Sequence, residues 1–589
     1  MVLNTIDWII VIVFLVFSLI IGLLNSKKAG QSANEFFLSS RSMPWWLLGI
    51  SMVATTFSAD TPNLVTDIVR KNGVSGNWVW WAFLLTGMLT VFTYAKLWRR
   101  SGVVTDLEFY ELRYGGKSAA FLRGFRALYL GVFFNIVIMA SVSLAAIKIG
   151  GVMMGLTPVQ TLTIATLITV AYSSLGGLRS VLITDFFQFL IAMVGSVAAT
   201  IYIINQPMVG GLDALFANSL VTPKLSILPD FSDTTTLIPL LILPLAVQWW
   251  SVWYPGAEPG GGGYIAQRML SAKNEKNALT ASLIFNITHY ALRPWPWILI
   301  ALASLVVFPD LASLQKAFPH IPADKINDDL AYPAMLTFLP AGLMGMLIAS
   351  LVAAYMSTIS THLNWGSSYV VNDFYKRFIK PEASDKELVA VGRLSTVLLA
   401  VVSALLALLL SNALQAFNIL LQIGAGTGLI FILRWFWWRI NTYTEITGMV
   451  VSFLVALYFE VIHILLFDPI EGHWKLLIGV SITTASWLIV TLLTQPESNE
   501  VLVRFYEKVH PASMGWKTVL KNNPSVKEER GQLPFEIMLM VVGSFTVYGA
   551  LFTIGFWLYG NLLPAVISGL IAISGSVFLM RNWGKLKFF

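Results

Sequence analysis

No cysteine occurs in the 589 residues, which removes a disulfide scaffold and any thiolate metal or haem site at once. Histidine is almost as scarce. The six present are scattered singly, without an HExxH pair, so metalloenzyme chemistry lacks its usual ligands. Charge is short too, at 12% of residues against 56% hydrophobic. With a mean hydropathy of +0.73, a soluble fold could not cover that much apolar side chain. What fills the chain instead are apolar runs of about 18 to 25 residues, the length that a ~30 Å hydrocarbon core demands.

Hydropathy divides the chain into about 15 transmembrane helices. The second is expected near 46–67, the seventh at 236–254 with a broken continuation to 266, and the ninth at 336–368. The first carries an acid, no basic run before it and no small-residue cleavage site after it, so it is expected to be retained. With the N-terminus outside and the C-terminus cytoplasmic, most of the 38 Lys and Arg fall on the cytoplasmic side, including Lys27, Lys28, Arg99, Arg100, Lys376 and Arg377. The net charge of +7 is then a matter of topology, and nucleic acid is not an expected partner. The 495–534 loop is polar and mixed in charge, too small for a catalytic domain.

Two spans are interrupted. Residues 255–263 read PGAEPGGGG, through which no helix continues: proline removes a donor and glycine has the largest backbone entropy. One acid, Glu258, sits in that stretch. The second span stalls at SMVATTFSADTPNL, where Thr55, Thr56, Ser58, Asp60 and Pro62 crowd together. Serine and threonine often bond back to their own helix, and a proline often makes only a kink. An acid at that depth, however, is costly unless it meets a cavity, partner or ion. The breaks lie five spans apart, and an odd offset inverts orientation. Spans 2–6 (46–235) and 7–11 (236–437) therefore read as inverted repeats of five helices, between an N-terminal extra helix and loop (1–45) and peripheral C-terminal helices (438–589). Paired interruptions in inverted halves point to a transporter's central site.

In the ninth span Ser357, Ser360, Thr361 and Asn364 follow i, i+3, i+4, i+7 spacing, with Thr358 one step round. Small polar residues also serve close helix packing. This many oxygens on one face need partners in hydrocarbon, and hard cations take oxygen ligands. Asp185, in GGLRSVLITDFFQ, either pairs with Arg179 or supplies the negative charge that neutral hydroxyls lack.

Four segments carry a family resemblance: MPWWLLGISMVATTFS (43–58), GGLRSVLITDFFQ (176–188), YIAQRMLSAKNEKNA (264–278) and LPAGLMGMLIASLVAAYMSTISTHLNWGSSYVVNDFYKRF (339–378). The chain resembles the sodium:solute symporter family, which includes sodium–glucose and sodium–proline cotransporters. The resemblance implies an all-α LeuT-type five-plus-five core, alternating access and sodium-driven uptake through the cell (inner) membrane, with the monomer as the working unit. It implies a first sodium site on the carbonyls of Ala54, Phe57 and Ala354 and the hydroxyls of Ser357 and Thr358. Some members hold a second sodium, for which Asp185, Ser360 and Thr361 are the matching residues. Matching substrate positions are Thr61, Trp80, Glu258, His289 and Gln422. Asp60, at the first break, joins them on its burial cost alone. The sugar carriers have polar or acidic groups where this chain has Thr61 and Trp80, and a Trp-Gly-x-Asn-Gln run where it has EPGGGG. Acids at the breaks predict a solute offering hydrogen-bond donors, either sugar- or polyol-like or amine-bearing, while Glu258 could alternatively cap the half-helix near Gly263. A carboxylate or amino acid is the alternative solute. In a different class stands a membrane-embedded transferase, which would need a His/Asp or DxD constellation that the isolated His289 and His463 do not supply.

Overall fold

Interrupted spans become half-helices. In the computed structural model, the first helix of the second span runs Trp45–Thr56 and resumes as Thr61–Asn72, with Pro62 in its opening turn. Proline is tolerated there because the first turn's N–H groups have no intrahelical acceptor. The seventh span does the same on a larger scale. An apolar helical run, Thr234–Trp250, stops before the glycine-rich stretch, and Gly263–Ser271 begins after it. The structure describes residues 3–588 except 57, 253–257, 320, 322, 324, 325, 411–422, 529 and 530, with the backbone alone at 28, 172 and 175. Phe57 and Gln422, two of the expected site residues, thus lie outside the described residues.

Among the described residues, eleven helices are long and apolar enough to cross a bilayer, and three shorter apolar ones are Trp45–Thr56, Pro158–Ala171 and Thr234–Trp250. The expected count near 15 is not reproduced helix for helix, because half-helices are too short to span alone.

The glycine pair of GGLRSVLITDF shows how sequence bends an element. The helix Pro158–Ile204 runs through two expected spans and kinks at Gly177 (φ 56°, ψ −164°). A β-carbon there would lie 2.8 Å from the Phe36 carbonyl oxygen, so the kink needs a residue with neither β-carbon nor left-handed strain. Beyond it, the helix packs along Leu343–Ser368 and Thr5–Ala29. The acid of the first helix finds its purpose in that contact. Asp7 Oδ1 accepts from the Gly342 and Gly345 amides at 2.7 and 2.8 Å, capping the helix that carries the hydroxyl ladder.

Candidate functional site

The end of Trp45–Thr56 sets the problem that the site solves, because the last four carbonyls of a helix have no intrahelical donor. The Val53 carbonyl accepts from Arg293 Nη1 at 3.2 Å and from Thr56 Oγ1 at 2.9 Å. The Thr55 carbonyl accepts from Thr358 Oγ1 at 2.8 Å, and the Thr56 carbonyl from Thr61 Oγ1 at 3.4 Å. No donor is found on the Ala54 carbonyl among the described residues. Ala54, Ala354, Ser357 and Thr358 are all buried, so the expected first-site oxygens on the second and ninth spans sit away from water. Ser357 Oγ donates to Asp185 Oδ1 at 2.6 Å.

The remaining ladder residues are also engaged. Thr361 Oγ1 lies 3.0 Å from Thr55 Oγ1 and accepts from Arg268 Nη2 at 2.7 Å. Ser360 Oγ turns back to the Ser357 carbonyl at 3.1 Å, and Asn364 Oδ1 accepts from Gln267 Nε2 at 2.9 Å. Asp185 bonds to Ser51 and Ser357, and its ion-pair partner is Arg268 at 3.7 Å, in place of the Arg179 pairing considered from sequence.

A cavity of about 160 Å³ opens directly on this ladder. Thr358 lies in its wall together with Asp60, Thr61, Trp80, His289 and Arg293. Four of the expected substrate residues therefore share one space. His289 Nδ1 lies 3.2 Å from Thr56 Oγ1, and the Trp80 ring meets the His289 ring edge-on at 5.7 Å. Arg293 stands on the same helical run as His289, with its guanidinium 5.1 Å from the Trp297 ring centroid.

Glu258 is placed differently. It lines a smaller neighbouring cavity of about 60 Å³, which shares Trp80, Phe83 and His289 with the larger one. Its Oε1 accepts from Arg126 Nη2 at 2.9 Å, and Arg126 also reaches Glu445 at 3.9 Å. The capping role weighed for Glu258 falls to Asp106, whose Oδ2 accepts from the Gly263 amide at 2.8 Å while Tyr369 donates to its Oδ1. The glycines of the break are equally constrained. Gly260 (φ 85°) lies so close to the Tyr94 ring that a β-carbon would come within 2.9 Å of it, and its carbonyl accepts from Trp98 Nε1 at 2.8 Å.

Sequence reading passed over Arg268, Asp106 and Arg126. Each is a charged residue, and the opposite charge or helix-end amide it meets (Asp185, Gly263 and Glu258 respectively) lies far away in the chain; what signal there was lay in their being charged near an apolar run.

The sodium:solute symporter family model matches residues 36–452. The sodium/glucose cotransporter of Vibrio parahaemolyticus is 27% identical over 453 residues, 74% of this chain and 81% of that one. Sodium/myo-inositol cotransporter 2 of Oryctolagus cuniculus is 26% identical over 551 residues, covering 84% and 78%. Among solved structures, a substrate-bound, outward-open Na+-coupled sialic acid symporter superposes with a TM-score of 0.67 at 22% identity, over 84% of this chain and 99% of that one, which places the fold. The two broken helices, the buried hydroxyl ladder and the family match over most of the length agree, and the chain belongs to the sodium:solute symporter family.

Proposed function

We propose that the protein imports a small polyhydroxylated solute together with sodium, by alternating access, through the inner membrane, with its N-terminus outside and C-terminus cytoplasmic. The observation that carries this is the continuity between Thr358 and the cavity. One hydroxyl lies both in the ladder that meets the broken helix and in the wall holding Asp60, Thr61, Trp80 and His289. A cation bound to the Ala54 carbonyl and to Ser357 and Thr358 would tie the half-helix to the ninth span, and with it one wall of the solute cavity. Sodium binding then organises the solute site, and a filled solute site holds sodium in return. Asp60 accepts from hydroxyls, and the Trp80 face offers apolar contact to a sugar-like ring. The relatives named for glucose and myo-inositol support this chemistry.

Arg293 favours a second reading. Its buried guanidinium lines the same cavity, and a guanidinium matches a carboxylate in a bidentate fashion. On this reading the solute is a sugar acid or another carboxylate rather than a neutral sugar. Uptake into proteoliposomes, with and without an inward sodium gradient, decides between them using labelled hexoses, polyols, sugar acids and amino acids. Sodium-stimulated uptake of a neutral sugar or polyol supports the first reading, and uptake confined to acids supports the second. Uptake indifferent to sodium for every solute removes the proposal. Family membership sets the chain among transporters rather than enzymes.

A further inference from the structure

Four elements converge on Asp185: the half-helix Trp45–Thr56 through Ser51, the half-helix Gly263–Ser271 through Arg268, the ladder helix through Ser357 and Thr361, and its own helix. Both carboxylate oxygens accept hydroxyl protons, from Ser51 and Ser357. The Arg268 guanidinium closes the group. Its Nη2 is 3.7 Å from Asp185 Oδ2 and 2.7 Å from Thr361 Oγ1, its Nε is 3.2 Å from Ser51 Oγ, and its Nη1 is 3.0 Å from Gln267 Oε1. The side chains of Arg268 and Asp185 are both wholly buried, at 0% exposure.

A carboxylate at this depth persists only with a positive charge beside it. Arginine supplies one permanently, since its guanidinium is not deprotonated in proteins. It lies against Asp185 and Thr361, two of the three groups that would otherwise serve a second sodium. A sodium placed among them would meet a like charge at contact distance. Ser357 has a single hydroxyl proton, which it donates to Asp185, and this leaves the oxygen's lone pairs on the side away from that carboxylate. Ligand orientation by a hydrogen-bonded carboxylate is the usual work of an outer shell around a bound metal.

We infer that Arg268 is a built-in countercation at the position of a second sodium, so that Asp185 is a positioning residue for Ser357 and each transport cycle carries one sodium. This rests on the sodium-symport reading above. Sodium itself is the probe. Purified protein is titrated with sodium chloride against choline chloride, following tryptophan fluorescence, and bound sodium per chain is counted with radiolabelled sodium. The expected result is one sodium per chain and a Hill coefficient near one. Asp185→Asn should weaken sodium about 10- to 100-fold with the coefficient unchanged. Arg268→Lys should keep the count at one, and Arg268→Gln should raise it to two. Two sodium ions in the wild type, or an Asp185→Asn variant that binds sodium as the wild type does, overturns the inference while leaving symport standing. Should Arg268→Gln fail to fold, the wild-type count and Asp185→Asn decide. No sodium binding at all, together with sodium-indifferent uptake, removes the symport reading itself.

Discussion

Ser357 and Thr358 are adjacent in sequence yet do different work: one hydroxyl answers to Asp185, the other to the Thr55 carbonyl. Replacing both with alanine removes two of about five oxygens from the proposed sodium site, which has few substitutes in hydrocarbon. The double variant should reach the membrane and lose sodium-stimulated uptake, which transport assays on matched expression levels would register. Wild-type sodium dependence in that variant would place the coupling site elsewhere. Asp106 offers a test by pH. It lies in the connection 102–107, outside the spans, and burial followed by the nearby Glu258 charge pushes its carboxyl up to about 7, against the opposing hydrogen bonds from Tyr369 and the Gly263 amide. A folded-state pKa above the unfolded one favours folding of the protonated form. That contribution is full below about pH 4 and is lost as pH rises through about 7. The melting temperature in detergent should therefore fall between about pH 4 and 7 partly through Asp106, and Asp106→Asn should flatten that part of the slope.

At the scale of elements, the breaks are held open by fitted contacts rather than by the mere presence of helix breakers. Gly260→Ala would combine a positive-φ backbone with a β-carbon 2.9 Å from the Tyr94 ring. An expected cost of about 1–3 kcal/mol follows from that strain, and thermal unfolding should show it even where sodium binding persists. Glu258 belongs to the same region and answers to Arg126. Glu258→Gln removes one charge of a buried pair and leaves Arg126 reliant on Glu445 at 3.9 Å, so stability should fall measurably. Solute affinity should change little, because Asp60, Thr61, Trp80 and Arg293 line the larger cavity without it. A large loss of affinity with unchanged stability would return Glu258 to the solute's first contacts.

At the scale of the molecule, ion pairs gather at both ends of the bundle. Arg126–Glu258 and Arg100–Glu275 lie toward the end that carries 495–534, while Arg70–Asp328 and Lys148–Asp329 lie toward the other. Alternating access requires one such layer to part while the other stays shut. The chain's lack of cysteine makes that measurable without background. Leu64 lines the cavity, and Leu64→Cys should react with a membrane-impermeant thiol reagent at a rate that sodium changes, since sodium selects among conformations. A rate that sodium leaves untouched would count against coupling through this cavity.

Composition and periodicity alone determined that the chain crosses a membrane many times, that two of its spans break, and that one helix face is lined with oxygens. These are local properties, fixed by which side chains hydrocarbon tolerates and by which residues a helix cannot include. The two interruptions were legible because both breaks leave a mark in the chain itself, and half-helices lie at each. What the tertiary structure decided is how the charges are matched. Asp185 is answered by Arg268 rather than Arg179, Gly263 is capped by Asp106 rather than Glu258, and Arg293 reaches the Val53 carbonyl 240 residues away. A buried charge is settled by whichever opposite group the fold brings within a few ångström, and separation along the chain says nothing about that distance.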